Sequence, residues 1–117
     1  MNDCIFCKIV KGEIPCNKVS ETDNVLAFYD IHPSAEVHVL VVPKRHISDF
    51  ENIKKEDSEI ISEMIEISQA VVKKENPSKF RIIINGRGFL EINHLHWHLQ
   101  GGSLTKHAVE ALLNDSR

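Results

Sequence analysis

The sequence predicts an α+β domain in which an antiparallel sheet packs around one long helix. Two observations support this fold class. Several short apolar segments, typical of strands, follow one another with turn residues between them, and one longer segment has the 3–4 spacing of an amphipathic helix. Strands in hairpin-like succession pair antiparallel, and the helix can bury its apolar face only against the sheet they form.

Length and composition limit the organisation and the partners. With 117 residues, of which 42% are apolar and 26% charged, the chain is expected to form one domain, residues 1–117, with its own hydrophobic core. The formal net charge of −3 and the lack of a basic stripe argue against a nucleic acid partner. Because the chain has no bilayer-spanning apolar run and no signal peptide, we expect a cytoplasmic protein that does not enter a membrane.

The N-terminal half is predicted to contain a short helix and two strands. The segment Cys4 to Val10 is apolar enough for one or two helical turns. Val25 to Ile31 is rich in β-branched and aromatic residues and predicts a strand. Glu36 to Val42 predicts a second strand, nearly continuous in Val and Leu except for His38, and Pro43 ends it.

The C-terminal half is predicted to contain the long helix and two more strands. Apolar residues at helical spacing cover Asp57 to Lys74. Phe80 to Asn85 and His94 to Gln100 predict strands, the second stopped by Gly101-Gly102. Lys106 to Leu113 has the pattern of a short terminal helix.

The most informative segment is the run from His94 to Leu99, in which His alternates with Leu or Trp. In a strand this alternation sends the Leu and Trp side chains to one face and the three histidines to the other. Adjacent histidines would then lie about 6.6 Å apart and the outer two about 13 Å apart, which disfavours a metal centre built from all three. Imidazoles that titrate near neutrality suit contact with an extended anionic group. The alternative is a solvated polar face.

Two cysteines near the N-terminus form a second pattern. Cys4 and Cys7 have the CxxC spacing of half a tetrahedral zinc site, or of a redox pair. A zinc ion would need two further ligands, and spacing alone does not select them from the seven histidines of the chain.

The segment His94 to Gln100 resembles the signature of the histidine triad (HIT) family of nucleotide hydrolases and transferases, His-φ-His-φ-His-φ-φ, where φ is apolar; the polar Gln100 departs from it. Other segments resemble the family in the same order, namely Cys4 to Val10 with Gly12 to Pro15, Ala27 to Ile31, and His38 to Ile47. The ending Gln100-Gly101-Gly102 resembles the nucleoside phosphoramidate hydrolase branch, which implies action at the α-phosphate of purine nucleoside phosphoramidates or related nucleotides.

The resemblance implies a covalent mechanism. His96 would attack the α-phosphorus and form a nucleotidyl-histidine intermediate, which water then hydrolyses. The other ring nitrogen of His96 is expected to bond to a backbone carbonyl. His98 would contact the phosphate or the leaving group, and His38 on the adjacent strand would complete the catalytic site. For His38 the alternative is a hydrogen-bonded core histidine.

The resemblance also assigns a nucleotide pocket. Asp30 would accept hydrogen bonds from both ribose hydroxyls. Asn85 would reach the ribose or the phosphate, although Asn before Gly is also an ordinary turn pair. Four apolar residues, for which ordinary core packing is the alternative, would form the slot for the base: Ile5, Phe6, Phe28 and Ile31.

A structural Zn²⁺ and a homodimer are further implications of the resemblance. His46 and His94 occupy the positions that complete the zinc site with Cys4 and Cys7 in zinc-binding members, and a closed four-ligand shell would make the ion structural. A reduced, metal-free CxxC is the alternative. The predicted strand over residues 80–85 and the predicted helix over residues 57–74 are the expected elements of a dimer interface.

The segment from Gly86 to Asn93 departs from the family pattern, because it is shorter and lacks the usual Gly-Gln-Ser/Thr motif. Glu91 stands where a hydroxyl is expected, and a carboxylate beside a phosphate is repulsive. Arg87 could compensate as a phosphate contact. The departure leaves three other functions open: a dinucleoside polyphosphate hydrolase, a nucleotide-binding interaction module with little turnover, and a zinc-stabilised scaffold.

Overall fold

A computed structural model describes residues 3–105 as a five-stranded antiparallel sheet with one helix on each face. The elements, in chain order, are α1 (Ile5–Val10), β1 (Lys18–Glu21), β2 (Val25–Tyr29), β3 (Ala35–Pro43), α2 (Ser58–Glu75), β4 (Phe80–Ile84) and β5 (Trp97–Leu104). The strand order is β1-β2-β3-β5-β4, and all neighbours pair antiparallel. The predicted α+β class is confirmed, and the predicted helix over residues 106–113 lies outside the described residues.

The two faces of the sheet carry separate hydrophobic clusters. The face covered by α2 holds Leu95, Trp97 and Leu99, as the alternation predicts. The opposite face packs against Phe6 of α1 and includes Phe28 and its strand neighbours. The site described below therefore lies on the α1 side of the sheet. Within residues 3–105, no helix combines the length and the apolar character needed to cross a bilayer.

The helix α1 is short and begins at a cysteine cap. The Sγ atom of Cys4 accepts a hydrogen bond from the backbone N–H of Cys7 at 3.4 Å. This cap satisfies one of the free N–H groups at the helix start and sets the approach of α1 to the sheet. The ring of Phe6 then packs edge-on against the ring of Phe28, with centroids 5.8 Å apart.

The predicted strand from His94 to Gln100 is wrong at its N-terminal end, because it begins too early. Strand β5 begins only at Trp97, which pairs with Val41 of β3. Continuing that register would set Leu95 opposite Pro43, which has no N–H to donate. The backbone N–H of Leu95 bonds instead to the Ile47 carbonyl, at 2.6 Å. The sheet ladder therefore ends before residues 94–96, and their side chains leave the regular strand geometry.

The prediction is also wrong at the second end, because Gly101-Gly102 does not stop the strand. Strand β5 continues to Leu104, with a register shift between Ala35 and Val37 of β3. At this irregularity Gly102 has φ +75°, and a Cβ there would lie 2.5 Å from the Glu36 carboxylate. The glycine therefore permits a bulge in the pairing and does not act as a terminator.

Candidate active site

A cavity of about 430 Å³ lies between α1, the ends of β2 and β5, and the loop after β4. All eight residues that the resemblance assigns to nucleotide binding line it: Ile5, Phe6, Phe28, Asp30, Ile31, Asn85, His96 and His98. The volume falls within the ordinary range for small-molecule sites. Most of the lining side chains are apolar, and the polar ones include Asp30, Asn85, Glu91 and the two histidines.

The His96 ring has a defined tautomer. Its Nδ1 atom lies 2.8 Å from the backbone carbonyl oxygen of His94, the kind of acceptor that the sequence analysis expects. A carbonyl can only accept, so Nδ1 carries the proton and Nε2 keeps its lone pair. Burial lowers the pKa of His96 and outweighs the opposing effects of that hydrogen bond, Asp30 and Glu91. A neutral ring with a free Nε2 is the nucleophilic form of imidazole.

His98 and His38 form a hydrogen-bonded pair beside His96. The backbone N–H of Ser34 donates to Nδ1 of His38 at 2.9 Å, so the proton of His38 is on Nε2. That Nε2–H donates to Nδ1 of His98 at 2.8 Å. His98 therefore carries its own proton on Nε2. The His98 ring lines the cavity, whereas His38 does not.

Burial lowers the pKa of both rings of this pair, and for His98 the pKa falls to about 4 because His96 and His38 add to the effect. Both rings are therefore neutral near pH 7. The centroids of the His96 and His98 rings lie 5.1 Å apart. A neutral nucleophile and a neutral hydrogen-bond donor thus face the same part of the cavity.

Asp30 lies at the end of β2 and also faces the cavity. Its Oδ1 atom accepts from the backbone N–H of His32 at 2.9 Å, and its Oδ2 atom lies 3.5 Å from Nε2 of His38. Donor atoms of Asp30, His38 and His98 lie within 4.8 Å of one another. The 2.8 Å separation of the two ring nitrogens is that of a hydrogen bond and is shorter than the ~3.3 Å expected between two metal ligands.

The loop after β4 brings a negative charge to the cavity and no positive one. Glu91 lines the cavity. Arg87 does not, because its guanidinium pairs with the Glu51 carboxylate at 2.5 and 3.1 Å on the exposed surface. The hypothesis that Arg87 contacts the phosphate is therefore wrong in this structure. Over residues 3–105, the cavity lining includes two carboxylates and neither Lys nor Arg.

A second cluster, the Cys/His cluster, lies on the other side of Phe6 and consists of Cys4, Cys7, His46 and His94. Nδ1 of His94 lies 3.2 and 3.5 Å from the two sulfurs and 3.1 Å from Nδ1 of His46. Sγ of Cys7 lies 3.3 Å from Nδ1 of His46. A tetrahedral zinc site has edges of about 3.3 to 3.8 Å between its nitrogen and sulfur ligands, and the four distances here, 3.1 to 3.5 Å, fall at or slightly below those edges, so small shifts of the side chains would let this donor set hold that ion.

The tautomer of His94 is also the one that a zinc ligand at Nδ1 needs. Its Nε2 atom lies 2.8 Å from the carbonyl oxygen of Pro43, which can only accept. The proton is therefore on Nε2, and the Nδ1 lone pair faces the two cysteines. A backbone carbonyl that holds the outer nitrogen of a histidine ligand is the usual second partner in metal sites.

Sequence reasoning missed several lining residues. Leu40 could have been found, because it lies two positions from His38 on the same face of β3. The turn residues Ile14 and Pro15 and the loop residue Phe89 gave no periodic signal. Further lining residues that were not assigned are Ile9, Cys16, Tyr29, His32 and Ile92.

Comparisons with known proteins agree with this geometry. Residues 3–111 match the family model described as "Scavenger mRNA decapping enzyme C-term binding". The adenosine 5′-monophosphoramidase hnt1 of Schizosaccharomyces pombe is 36% identical over 98 residues, which cover 82% of this chain and 71% of that protein.

Two solved structures share both fold and sequence with the chain. A histidine triad protein from Clostridium difficile has a TM-score of 0.82 and 41% identity, covering 88% of this chain and 93% of that one. A HIT family hydrolase from Legionella pneumophila has a TM-score of 0.80 and 38% identity, covering 86% and 94%. The chain therefore belongs to the histidine triad (HIT) family and has the fold of its hydrolases.

Proposed function

We propose that the protein hydrolyses the phosphorus–nitrogen bond of purine nucleoside phosphoramidates through a nucleotidyl intermediate on His96. One observation carries the proposal. Nδ1 of His96 donates a hydrogen bond to the His94 carbonyl, so Nε2 keeps its lone pair and is the reactive atom of the ring. The ring lines a cavity large enough for a nucleotide. The similarity to a protein named as an adenosine 5′-monophosphoramidase supports the substrate class.

The proposed reaction has two displacements at phosphorus. In the first, the Nε2 lone pair of His96 forms a bond to phosphorus, and the bond from phosphorus to the protonated nitrogen of the substrate breaks, so that the electron pair stays on the departing nitrogen and the amine leaves neutral. The Nε2–H of His98 donates a hydrogen bond to that electron pair as it develops. In the second, water adds its oxygen to phosphorus and gives up one proton to the released amine, and the electron pair of the histidine–phosphorus bond returns to Nε2 of His96. Dividing the displacement in two lowers each barrier.

The rest of the cavity suits a nucleoside. The Phe6 and Phe28 rings pack edge to face with their centroids 5.8 Å apart, and Ile5 and Ile31, which also line the cavity, are 43% and 83% exposed. Such apolar walls favour a flat purine over water. Asp30 has acceptor capacity left beyond its bond to the His32 N–H, and it would accept from the ribose hydroxyls.

The charge of the cavity favours a phosphoramidate over a dinucleoside polyphosphate. Asp30 and Glu91 are acidic, and in residues 3–105 no Lys or Arg lines the cavity. A phosphate charge about 5 Å from a carboxylate costs roughly 1 kcal/mol even in water-like surroundings. A dinucleoside polyphosphate adds several such charges, whereas a phosphoramidate has one phosphoryl group and an amine leaving group.

A substrate comparison tests the proposal. Adenosine 5′-monophosphoramidate and a diadenosine polyphosphate are incubated separately with the enzyme, and AMP release is followed by chromatography. We expect kcat/KM at least tenfold higher for the phosphoramidate. Faster cleavage of the polyphosphate contradicts the substrate assignment. Saturable AMP binding with no product from either compound would instead favour an interaction module with little turnover, which the Glu91-bearing loop makes the second candidate.

We also propose that the Cys/His cluster binds a structural Zn²⁺. Its donor atoms lie 3.1 to 3.5 Å apart in the four pairs described above, close to the edges of a tetrahedral site, and four protein ligands leave no open position for substrate. The ion would join α1 to the segments that carry His46 and His94. Elemental analysis of protein purified without added metal is expected to give about one zinc per chain, and a value near zero would contradict this assignment.

We propose that the protein forms a homodimer through β4 and α2. Strand β4 is an edge of the sheet, and its side chains Phe80, Ile82 and Ile84 are 52%, 44% and 39% exposed. An uncovered apolar edge strand favours pairing with another chain. A two-fold axis would let the same edge cover itself.

Light scattering tests the dimer. We expect twice the chain mass of 13.3 kDa for the protein and for Ser20→Lys, a charge added on the opposite edge strand β1. Ile82→Lys is expected to shift the mass toward the monomer, because a buried lysine at the interface is costly. A monomeric wild-type protein would contradict the proposal.

A further inference from the structure

One row of polar side chains crosses three strands on the cavity side of the sheet. Arg81 of β4 pairs in register with Gln100 of β5, and Gln100 pairs in register with His38 of β3. Gln100 is only 7% exposed, and it stands where the family signature has an apolar residue. A buried amide is costly unless it is hydrogen-bonded, so its bonds need an explanation.

The bonds of this row form a continuous chain that ends at the cavity. Nε of Arg81 donates to Oε1 of Gln100 at 2.7 Å, and Nε2 of Gln100 donates to Oγ of Ser34 at 2.8 Å. Oγ of Ser34 lies 3.2 Å from Nδ1 of His38, which also accepts from the Ser34 backbone N–H. His38 then donates to His98 at 2.8 Å.

The direction of the chain is set at its far end. A guanidinium has five donors and no acceptor, so Gln100 must turn its oxygen toward Arg81 and its amide N–H toward Ser34. Because the Ser34 oxygen receives that N–H, its own proton is free to point at Nδ1 of His38. Every bond from Arg81 to His98 therefore runs toward the cavity.

We propose that Arg81, Gln100 and Ser34 are positioning residues that fix the His38 tautomer and thereby keep the proton of His98 on Nε2, facing the substrate. The use of that proton rests on the proposed function, and the position of the proton rests on the hydrogen bonds that join Arg81 to His98. If the row is broken, only the Ser34 backbone N–H still donates to Nδ1 of His38, so a larger share of the His38 rings can carry the proton on Nδ1, and His98 then loses the donor that holds its own Nδ1 unprotonated.

The burial of His38 favours the same state. Burial lowers the pKa of His38 and outweighs the nearby Asp30 carboxylate, which raises it, while the Arg81 cation adds a smaller lowering effect. A neutral His38 accepts a hydrogen bond at Nδ1 and donates one at Nε2. It can therefore accept from Ser34 and donate to His98, so the hydrogen bonds of the row all keep the same direction. A protonated ring would donate at both nitrogens and would break the chain at Ser34.

The first test reads the tautomers directly. Nitrogen-15 spectra of the histidine rings are recorded for the wild-type protein, Gln100→Leu and Ser34→Ala. We expect both His38 and His98 in the Nε2–H form in the wild type, and an additional Nδ1–H form of His98 in each variant. Wild-type ring signals in both variants would overturn the proposal, because the Ser34 backbone N–H would then suffice.

The second test is kinetic and uses adenosine 5′-monophosphoramidate. Gln100→Leu is expected to lower kcat about five- to tenfold with KM changed less than twofold, and its thermal midpoint is expected to stay near wild type because leucine packs where the family has an apolar residue. Arg81→Met is expected to lower kcat about threefold, and Arg81→Lys to restore most of it, since an ammonium also only donates. Lys79→Met, an exposed neighbour outside the row, is the charge-matched control.

The two readouts separate failure of the row from failure of the proposed function. Unchanged kcat in Gln100→Leu, at wild-type tautomers, overturns the positioning role. A wild-type protein that does not cleave the phosphoramidate contradicts the proposed function, and the ring-nitrogen spectra still decide whether the row sets the tautomers.

Discussion

His94 and His96 are two residues apart, carry the same side chain and bond to a backbone carbonyl in each case, yet they face different chemistry. Nε2 of His94 bonds to the Pro43 carbonyl, so its Nδ1 faces the cysteines. Nδ1 of His96 bonds to the His94 carbonyl, so its Nε2 is the nitrogen left for the cavity. Each ring therefore suits the role proposed for it, His94 as a metal ligand and His96 as a nucleophile.

This difference teaches that the backbone, and not the residue type, determines what each histidine can do. A carbonyl takes whichever ring nitrogen reaches it and leaves the lone pair on the other. The sheet ladder ends at Trp97, because the same register would set Leu95 opposite Pro43, which has no N–H to donate. In a regular strand the rings of His94 and His96 would be equivalent; here the irregular segment separates them.

The largest expected effect is the loss of turnover when His96, the proposed catalytic member of the pair, is replaced. His96→Asn should lower turnover of adenosine 5′-monophosphoramidate by at least about 10³-fold, because an amide cannot replace the nucleophile. The thermal midpoint should fall by about 5 °C, since the buried ring packs against Phe6 and a loss of roughly 1 kcal/mol moves the midpoint of a domain of this size by that amount. Steady-state kinetics and a calorimetric scan measure the two. A variant with more than a tenth of wild-type kcat would contradict the assignment.

The proposed role of His94 in the Cys/His cluster is tested by replacing one of the cysteines of that cluster. Cys7→Ser should abolish metal binding and cost at least about 3 kcal/mol, which lowers the thermal midpoint by roughly 10 °C or more. A strong chelator should do the same to the wild-type protein and have no further effect on Cys7→Ser. The matched control is Cys16→Ser, whose thiol lines the cavity and lies outside the Cys/His cluster. Equal midpoints for the two serine variants would contradict a structural metal.

The sequence could predict the features of this segment that depend on neighbouring residues. It could not predict the features that depend on residues far away in the sequence. Alternation over residues 94–99 correctly predicted that Leu95, Trp97 and Leu99 enter the core, because side-chain direction follows from the nearest neighbours. The strand ends were not predictable in the same way. One end depends on Pro43, a residue of another strand, and the other on a bulge opposite residues 35–37.

Other features needed the three-dimensional structure. Strand β1 was missed because Lys18–Glu21 is short, carries one strongly apolar residue and lies at the sheet edge. Arg87 was assigned to the phosphate on charge alone, and its real partner, Glu51, lies far away in sequence. The row from Arg81 to His98 joins three strands, so no single segment predicts it.

Acid should destabilise the protein through the buried ring of His98 in the cavity. Burial lowers the pKa of His98 to about 4, whereas an unfolded histidine titrates near 6.5. Between these values the unfolded chain binds more protons, so stability is full above about pH 6.5 and falls as the pH drops toward 4. Because the ring is partly exposed, solvent screening should reduce its share to about 1–2 kcal/mol.

Urea unfolding at pH 7 and pH 4.5 measures this loss. His98→Gln should lose less stability between the two pH values than the wild-type protein does, while His32→Gln, an exposed neighbour, should lose as much as the wild type. The same loss in all three proteins would contradict the role of the buried ring.

The smallest expected effect concerns the charge at the cavity wall. Glu91→Gln removes a carboxylate that lines the cavity and should tighten AMP binding about threefold at low salt, with the gain shrinking at high salt as the charges are screened. Isothermal titration calorimetry at two ionic strengths measures it. Glu56→Gln, outside the cavity, should leave the affinity unchanged, and an unchanged affinity in Glu91→Gln as well would mean that this carboxylate does not face the phosphate.

The most direct test of the central claim is to trap the covalent intermediate. The enzyme is mixed with adenosine 5′-monophosphoramidate, quenched within milliseconds in alkaline denaturant to spare the acid-labile phosphorus–nitrogen bond, digested and mapped by mass spectrometry. The account predicts an adenylyl adduct on His96, absent in His96→Asn and present in Cys16→Ser. An adduct on another residue, or turnover without any adduct at substrate saturation, would contradict it.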